Sequence, residues 1–278
     1  MTTMSLALDD ASFLFDFVRR RSSISLDESK LYLLTTRLGP VLRDHELQTS
    51  HDLVVALRRA SSRRLQQDVI EAMTTNETSF FRDSRPFSFL RDQVLPTMLR
   101  RRKESRRLRI WSAACSTGQE LYSLAMMIDR EFPAYQGWDV QLIGTDIDEK
   151  VVKRASSGIF SAVEVRRGLP EEYRATYFSQ EFGRWQIHER LREKTRFFQL
   201  NLTDSWKAVG EVDLLFMRNV LIYFDLEVKR QLLARAHDSL ARDGFIFLGN
   251  AETPHSLEPR LVPVRGDLSS CYARSDDR

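Results

Sequence analysis

One stretch of the sequence decides the fold class: Arg109-Ile-Trp-Ser-Ala-Ala-Cys-Ser-Thr-Gly-Gln-Glu-Leu-Tyr-Ser-Leu-Ala-Met126. It predicts a short apolar strand at Ile110 and Trp111, a turn of small residues that ends at Gly118, and a helix with an early carboxylate, Glu120. A strand, a tight turn and a helix form the first half of a nucleotide-binding βα unit. Small side chains in the turn let a ligand approach the backbone, and the start of the helix presents free N–H groups.

The composition of this turn favours a cationic nucleoside over a dinucleotide. Gly118 is the only glycine in it, so the Gly-x-Gly-x-x-Gly pattern that cradles a pyrophosphate is missing. Glu120 would repel a pyrophosphate and attract a cation. S-adenosylmethionine therefore suits the turn better than NAD does. Asp146 follows the next predicted strand, where an acid can accept hydrogen bonds from both ribose hydroxyls.

Strands and helices alternate after residue 108, which predicts a mostly parallel sheet with helices on both faces. The alternation stops between Gly158 and Thr195, where we expect a small antiparallel ribbon inserted at about residues 176–197. Near the end we expect a closing hairpin of Leu261–Val264 and Ser270–Ala273. The predicted strands of the main sheet are Leu108–Trp111, Val140–Gly144, Phe197–Leu200, Val212–Phe216 and Gly244–Gly249, and helices are expected from Gln119, from Asp148 and over Leu226–Ala241.

The N-terminal part has no strand pattern and predicts a small helical bundle. Apolar residues recur at helical spacing from about residue 12 to 73. A capping box at Ser25-Leu-Asp-Glu28 predicts a helix that ends near Gly39-Pro40, and Ser61 or Ser62 is expected to cap a later one. We therefore divide the chain into a helical bundle at residues 1–73, a junction and linker helix at 74–107, and an α/β domain at 108–278.

Composition and charge exclude several classes of protein. The 278 residues are 42% hydrophobic and 29% charged, as in an ordinary globular protein. No apolar run is long enough to span a membrane and no signal peptide is visible, so we expect no membrane insertion. The two cysteines, Cys115 and Cys271, indicate reduced thiols in the cytosol. The five histidines are scattered and have no cysteine partner at ligand spacing, so we expect no metal site.

Three further features leave alternatives open on the residues alone. The basic segment Arg82–Arg109 is either a solvated helix end and linker or a docking surface for an acidic partner. Arg218, Asn219 and Tyr223 follow a predicted strand at the ligand edge of the sheet, yet Tyr223 is equally well a half-buried aromatic. The polar segment Thr74–Asp83 would by itself supply helix caps and two core phenylalanines.

Taken together and in order, these motifs resemble the CheR family of chemotaxis receptor methyltransferases. Thr74–Arg82 is similar to the family's signature at the domain junction, Trp111–Glu120 to its cofactor turn, and Arg218–Asp225 to its segment after the fourth strand. Leu26–Leu38 is also similar to its N-terminal domain. The resemblance implies an α/β, Rossmann-like S-adenosylmethionine-dependent methyltransferase domain with a small antiparallel β-subdomain insertion, preceded by a small all-helical domain.

The resemblance also implies an activity and a set of site residues. The expected enzyme is a cytoplasmic protein-glutamate O-methyltransferase that acts with S-adenosylmethionine on the cytoplasmic domains of chemoreceptors and releases S-adenosylhomocysteine, as a monomer and without binding nucleic acid. Arg82 and Tyr223 are the expected catalytic residues, nearest the transferred methyl group. By position, Asn76, Thr78 and Arg82 should close over the cofactor, Gly118 and Glu120 should lie by its methionine part, Asp146 on the ribose, Asn201 and Leu202 by the adenine, and Asn219 and Val220 behind the pocket.

The sequence departs from the family pattern in two places, and two rival functions remain. Phe178–Leu191 lacks a glycine pair, which argues against binding of a receptor tail, and Gly249-Asn-Ala-Glu252 stands where His-Ser-Glu is expected, at no identified cost to the site. A nucleic-acid methyltransferase would carry Asp/Asn-Pro-Pro-Tyr where Arg218-Asn-Val-Leu stands here. A receptor-array adaptor without activity would have lost cofactor positions, and all of them are retained.

Overall fold

The computed structural model describes residues 6–59, 62–264 and 271–275. By internal contacts the chain divides into two compact units. The first ends at Thr75 and also includes Tyr223–Val228, while the second comprises Asn76–Ile222 and the chain from Lys229 onward. The short return of Tyr223–Val228 to the first unit is a feature that our division of the sequence lacks.

The first unit is helical, as predicted. Its core is apolar, and Leu14, Leu34, Leu38 and Leu53 are among its fully buried members. Ser62 caps the last helix by accepting from the N–H of Leu65, whereas Ser61 lies outside the described residues. The helices of this unit are α1 (Leu8–Ser22), α2 (Leu31–Asp44), α3 (Ser50–Arg58) and α4 (Arg63–Met73).

Two sequence predictions for α2 are wrong. Asp27 rather than Ser25 acts as the cap, because it accepts from the N–H of Ser29 at the start of a 3₁₀ turn, Glu28–Lys30, that precedes the helix. Helix α2 also continues through Pro40 to Asp44. Proline inside a helix costs about 3 kcal/mol. Burial of the following residues, Val41 and Leu42, offsets that cost, since each buried side chain contributes about 1.5–3 kcal/mol.

The second unit contains a seven-stranded sheet that is parallel except at one edge. The strand order is β6-β2-β1-β7-β8-β10-β9, and among the described residues β10 alone pairs antiparallel to its neighbours, β8 and β9. The chain order reverses between β1 and β7, which is where open parallel sheets bind ligands, beyond the carboxyl ends of the strands. The strands are β1 (Arg107–Ala113), β2 (Asp139–Asp146), β6 (Thr195–Gln199), β7 (Val212–Met217), β8 (Leu240–Leu248), β9 (Leu261–Pro263) and β10 (Cys271–Arg274).

This sheet confirms the predicted α/β class, with small shifts at the boundaries. The predicted helix over Leu226–Ala241 ends at Ser239, and β8 begins at once. The closing hairpin is present as β9 and β10, although Ser270 lies outside the described residues. The helices are α5 (Arg85–Phe89), α6 (Leu95–Arg101), α7 (Gln119–Glu131), α8 (Glu149–Ser157), α9 (Ala162–Arg166), α10 (Glu171–Tyr177), α11 (Glu189–Arg192) and α12 (Leu226–Ser239), and a π-helical turn at Leu90–Val94 joins α5 to α6. None of these described helices is long and apolar enough to cross a membrane.

The insertion is a small antiparallel sheet, as predicted, and it has three strands. Its strands are β3 (Ile159–Ser161), β4 (Phe178–Glu181) and β5 (Arg184–Ile187), in the order β3-β5-β4. It therefore begins earlier than the predicted residues 176–197, and the residues from Thr195 belong to β6 of the main sheet. We call Ile159–Arg192, with α9, α10 and α11, the inserted subdomain.

Candidate functional site

The turn after β1 has a backbone that requires small residues. Gly118 caps α7 with a φ of +92°, and Ala114 and Ser116 also adopt left-handed conformations, with φ of 58° and 51°. A Cβ atom on Gly118 would lie 3.0 Å from the Cβ of Ala155 and 3.2 Å from the ring of Phe197. The glycine is therefore required by both conformation and packing, as the sequence indicates.

Asp146, the last residue of β2, holds this turn from the neighbouring strand. Its Oδ2 accepts from the N–H of Ser116 at 2.8 Å, and its Oδ1 accepts from the N–H of Asp148 at 3.1 Å. The side chain is buried without an ion pair to any described residue, and burial raises its pKa to about 6. Each carboxylate oxygen can accept a second hydrogen bond, so Asp146 keeps acceptor sites for a pair of hydroxyls.

Asn76 lies against the same turn. Its side-chain amide donates to Asp148 Oδ2 at 2.8 Å, and its carbonyl accepts from the hydroxyl of Ser116 at 2.8 Å. Thr78, two residues on, makes no hydrogen bond to the described part of the chain. The structure thus brings Asn76, Asp146 and the turn together and leaves the hydroxyl of Thr78 available.

Glu120 and Arg218 form a buried ion pair at the start of α7. Glu120 Oε1 accepts from the hydroxyl of Ser112 at 2.8 Å, and its Oε2 accepts from Arg218 Nη1 at 2.9 Å. Arg218 Nη2 donates to Asp83 Oδ2 at 2.8 Å and to the carbonyl of Arg82 at 3.1 Å. The side chain of Arg218 is only 1% exposed. Glu120 therefore meets a cation of the protein itself, which sequence reasoning did not foresee.

Arg82, the predicted catalytic cation, makes fewer contacts with the protein than Arg218 does. Its Nη1 donates to the carbonyl of Glu77 at 2.8 Å, and it forms no ion pair with a described residue. A guanidinium has five N–H donors, so most of those on Arg82 remain available. The side chain is half-buried, as expected of a group that borders a ligand.

The turn after β7 is held by a buried carboxylate that sequence reasoning missed. Glu252 Oε2 accepts from the N–H groups of Gly249 (2.6 Å) and Asn219 (2.9 Å), and its Oε1 accepts from the N–H of Ile222 (3.3 Å). Asn219 adopts a φ of 58°, and its side-chain amide makes no hydrogen bond to the described chain. Although Gly249-Asn-Ala-Glu252 differs from the expected His-Ser-Glu, it keeps the glutamate. That retained acid was the sequence feature from which the role of Glu252 could have been predicted.

The loop after β6 joins the same edge of the sheet. The N–H of Leu200 donates to the carbonyl of Asp146 at 2.9 Å, which keeps the following residues beside that strand end. Asn201 Oδ1 accepts from both the N–H and the hydroxyl of Thr203, at 3.1 and 2.9 Å. Leu202 is buried, and its carbonyl accepts from Trp206 Nε1 at 3.0 Å. Val220, after β7, is buried as well.

Tyr223 belongs to the first unit, unlike the other predicted site residues. Its carbonyl accepts from the N–H of Ser25 at 2.8 Å, and its half-buried side chain packs against the apolar core of the helices. The half-buried aromatic that the sequence left as an alternative is therefore observed, and the catalytic role of Tyr223 stays a prediction.

The residues at this edge fit S-adenosylmethionine. Asp146 supplies an unpaired carboxylate for hydroxyl donors, Thr78 and Asn219 supply unused polar groups, and Leu202 and Val220 supply apolar surface. The turn also lacks the glycines that would bind a pyrophosphate. This donor set suits a nucleoside that has hydroxyls and no phosphate.

Comparison with protein families gives two adjacent matches. The family model described as "CheR methyltransferase, SAM binding domain" matches residues 76–265, and the one described as "CheR methyltransferase, all-alpha domain" matches residues 9–74. The first match covers the sheet and the inserted subdomain, and the second covers the helices of the first unit.

Full-length relatives are similar over most of the chain. Chemotaxis protein methyltransferase 1 of Pseudomonas aeruginosa is 38% identical over 268 residues, which are 94% of this chain and 96% of the relative. Chemotaxis protein methyltransferase Cher2 of Pseudomonas putida is 36% identical, over 90% of this chain and 92% of its own length. A chemotaxis protein methyltransferase of Vibrio parahaemolyticus is 34% identical, over 98% and 99%.

Proposed function

Because the chain belongs to the CheR methyltransferase family, we propose that it esterifies specific glutamate side chains in the cytoplasmic signalling region of chemoreceptors. The reaction consumes S-adenosylmethionine and gives glutamate methyl ester and S-adenosylhomocysteine, and its role is sensory adaptation. The enzyme acts in the cytoplasm as a monomer and does not bind nucleic acid.

The family and the general activity follow from the comparisons with known proteins. The chain is a chemotaxis protein methyltransferase with an S-adenosylmethionine-binding domain, which confirms the predicted family, enzyme class and cofactor. The observation that carries the proposal is the buried carboxylate of Asp146, which holds the turn after β1 and keeps acceptor sites for the ribose. The relatives' names identify chemotaxis, and receptor glutamates are the acceptors that the resemblance implies.

A glutamate acceptor needs no general base. Its ordinary pKa of about 4.3 leaves it ionised at neutral pH. Bound S-adenosylmethionine supplies a methyl group activated by the sulfonium. The protein must desolvate the carboxylate and align it, and positioning of this kind can contribute on the order of 7–11 kcal/mol.

We assign that positioning to two residues. Arg82 has N–H donors left after its bond to Glu77, so it can pair with the incoming carboxylate or hold the closing segment. Tyr223 orients the methyl donor through its hydroxyl. If Tyr223→Phe and Arg82→Ala both keep full turnover and cofactor affinity, this assignment is wrong.

The test is methyl transfer from labelled S-adenosylmethionine to receptor-bearing membranes. Label that base releases as methanol identifies a methyl ester, because N-methyl groups resist base. We expect release that disappears with Asp146→Ala and persists with Asp139→Ala, a change at the exposed opposite end of the same strand. Label that resists base would point to another acceptor and contradict the proposal. No label despite cofactor binding would favour the adaptor.

A further inference from the structure

Residues 76–83, which we call the junction segment, carry three of the proposed cofactor residues but little regular structure of their own. They form neither helix nor strand. Without a backbone ladder, the positions of Asn76, Thr78 and Arg82 depend on what the side chains and backbone of this segment touch. The main sheet and its helices hold its two ends, through the bonds of Asn76 to Asp148 and Ser116 and those of Arg218 to the Arg82 carbonyl and Asp83. In its middle, the N–H of Phe81 donates to Ser123 Oγ at 3.0 Å.

The inserted subdomain supplies an aromatic socket for the middle of this segment. Phe80 is fully buried, and its ring makes edge contacts with Phe160 of β3 and Phe178 of β4, at centroid distances of 5.1 and 5.7 Å. The ring of Phe81 lies 4.9 Å from that of Tyr173 on α10. Such aromatic pairs contribute roughly 0.5–1.5 kcal/mol each beyond their burial.

The loop between α9 and α10 touches the backbone of the same segment. Gly168 has a φ of +85°, and a Cβ atom there would lie 2.1 Å from the carbonyl oxygen of Phe80. Only glycine permits that approach. The preceding residue, Arg167, donates from Nη2 to Glu77 Oε1 at 2.6 Å. The subdomain therefore holds the segment by rings, by backbone contact and by charge.

We infer that the inserted subdomain is a positioning element of the cofactor site, whose packing on the junction segment sets the affinity for S-adenosylmethionine. The inference rests on the proposed cofactor role of Asn76, Thr78 and Arg82. It deepens that role by assigning the insertion a task inside the enzyme itself. By linkage the coupling is reciprocal, so cofactor binding stabilises the subdomain by the same free energy.

The first experiment measures the dissociation constant of S-adenosylhomocysteine by calorimetry. Gly168→Ala introduces the backbone clash, and Phe160→Leu opens the aromatic socket. We expect the dissociation constant to rise by about 5- to 150-fold in both, the usual range for coupling between sites. An unchanged dissociation constant in a folded Gly168→Ala protein would overturn the inference.

Two variants separate positioning from general loss of stability. Phe182→Ala changes the fully exposed tip of the β4–β5 hairpin, away from the junction segment. Phe245→Leu removes a ring from the core of the same unit, on β8. Both should bind S-adenosylhomocysteine as the wild type does, although Phe245→Leu lowers Tm. Weakened binding in Phe245→Leu that tracks its Tm would mean that stability alone sets the affinity.

Hydrogen exchange on the unchanged protein tests the same coupling if the variants do not fold. Saturating S-adenosylhomocysteine should slow amide exchange in β3, β4 and β5 as well as at the turn after β1. Protection confined to that turn would refute the coupling. If the protein shows the coupling but esterifies no receptor glutamate, only the proposed function is contradicted. If it esterifies receptor glutamates but shows no coupling, only this inference is contradicted.

Discussion

At each end of strand β7 an arginine lies between two acids; Arg102, near the amino end, is half-buried, and Arg218, just after the carboxyl end, is buried. At the amino end, Arg102 lies between Asp213 and Asp243, at 2.8 Å from Asp213 Oδ1. At the carboxyl end, Arg218 lies between Glu120 and Asp83, at 2.9 and 2.8 Å. Both sites consist of one guanidinium and two carboxylates, and they lie at opposite ends of the same strand.

What differs is the segments that each arginine joins. Arg102 ties the end of the linker helix to β7 and β8, and Asp213 also accepts from the N–H of Arg109. Arg218 joins the cofactor turn to the junction segment and is only 1% exposed, against 21% for Arg102. Ligands bind beyond the carboxyl ends of parallel strands. We therefore expect the arginine at the amino end to contribute to stability and the arginine at the carboxyl end to position the proposed cofactor site.

The largest effect should follow from Arg218→Lys. Lysine keeps the charge but has a single nitrogen, so it cannot reach Glu120 and Asp83 in the fork geometry of a guanidinium. Misplacing a positioned group by about 1 Å can cost on the order of 100-fold in rate, so we expect kcat/KM to fall by about that factor. Steady-state kinetics with receptor-bearing membranes measures it.

The matched variant at the other end is Arg102→Lys. It should lower Tm and leave kcat/KM within about twofold, because its partners Asp213 and Asp243 touch no proposed cofactor residue. Equal losses of activity in Arg102→Lys and Arg218→Lys would remove the difference between the two ends.

A pH dependence should mark the carboxyl end of the neighbouring strand, β2. Burial raises the pKa of Asp146 to about 6 from its ordinary value near 3.8. The folded protein therefore binds this proton more tightly than the unfolded chain, and the stability contributed by protonation is lost as pH rises through 6. Ribose hydroxyls bond more strongly to the ionised carboxylate than to the neutral acid. The dissociation constant of S-adenosylhomocysteine should thus stay constant above pH 6 and rise below it to a limit about tenfold higher, the affinity left when the acid is neutral.

Two asparagine variants at opposite ends of β2 sharpen this prediction. Asp146→Asn should bind S-adenosylhomocysteine about tenfold more weakly at pH 8 and lose the dependence below pH 6. Asp139→Asn, at the exposed amino end, should keep the wild-type curve. A wild-type affinity that is flat between pH 5 and 8 would show that Asp146 does not titrate in binding.

At the carboxyl edge of the sheet, the sequence predicts a residue where its own backbone conformation or its place in a strand requires it. Gly118 is required by its own φ and was predictable, and Asp146 was correctly placed at the end of its strand, whereas its contact with the ribose stays a prediction. The partners of Arg218 lie 98 and 135 residues away, at Glu120 and Asp83, and no local pattern records such a pairing. Family resemblance identified the segments but not the contacts between them.

The inserted subdomain was the least predictable region, for the same reason. Strand β3 has three residues, too few for a period-two pattern, and it pairs with β5 across more than twenty residues of chain. Gly168 gives no local sign that its neighbour is the carbonyl of Phe80. For helix α2 the local signal was present but misleading. Pro40 predicted the end of the helix, whereas the packing of Val41 and Leu42 outweighs it and the helix continues.

A smaller effect is expected from Glu252→Gln, after the carboxyl end of β8. The amide keeps one acceptor oxygen but presents N–H groups where the carboxylate accepts from Asn219, Gly249 and Ile222. Losing one hydrogen bond to a charged acceptor costs about 1.5–3 kcal/mol, most of it in stability. We expect kcat to fall about tenfold, which corresponds to about 1.4 kcal/mol, with little change in KM for receptor.

The control for Glu252 is a second buried glutamate, Glu258. It pairs with Arg260, and Glu258→Gln should lower Tm without lowering kcat. A loss of kcat in Glu258→Gln as large as that in Glu252→Gln would indicate that any buried acid of this region affects turnover. The turn that carries Asn219 would then need another explanation for its role.

The smallest effect should come from Asp243→Asn at the amino end of the comparison. Asp243 is 29% exposed, and Arg102 keeps its bond to Asp213 when the charge is removed. A partly exposed ion pair contributes at most about 1 kcal/mol, so the free energy of unfolding in urea should fall by no more than that. KM for S-adenosylmethionine should not change. A raised KM for S-adenosylmethionine would mean that the amino end of β7 is coupled to the cofactor edge through the strand itself. The functional contrast between the two arginines would then be one of degree.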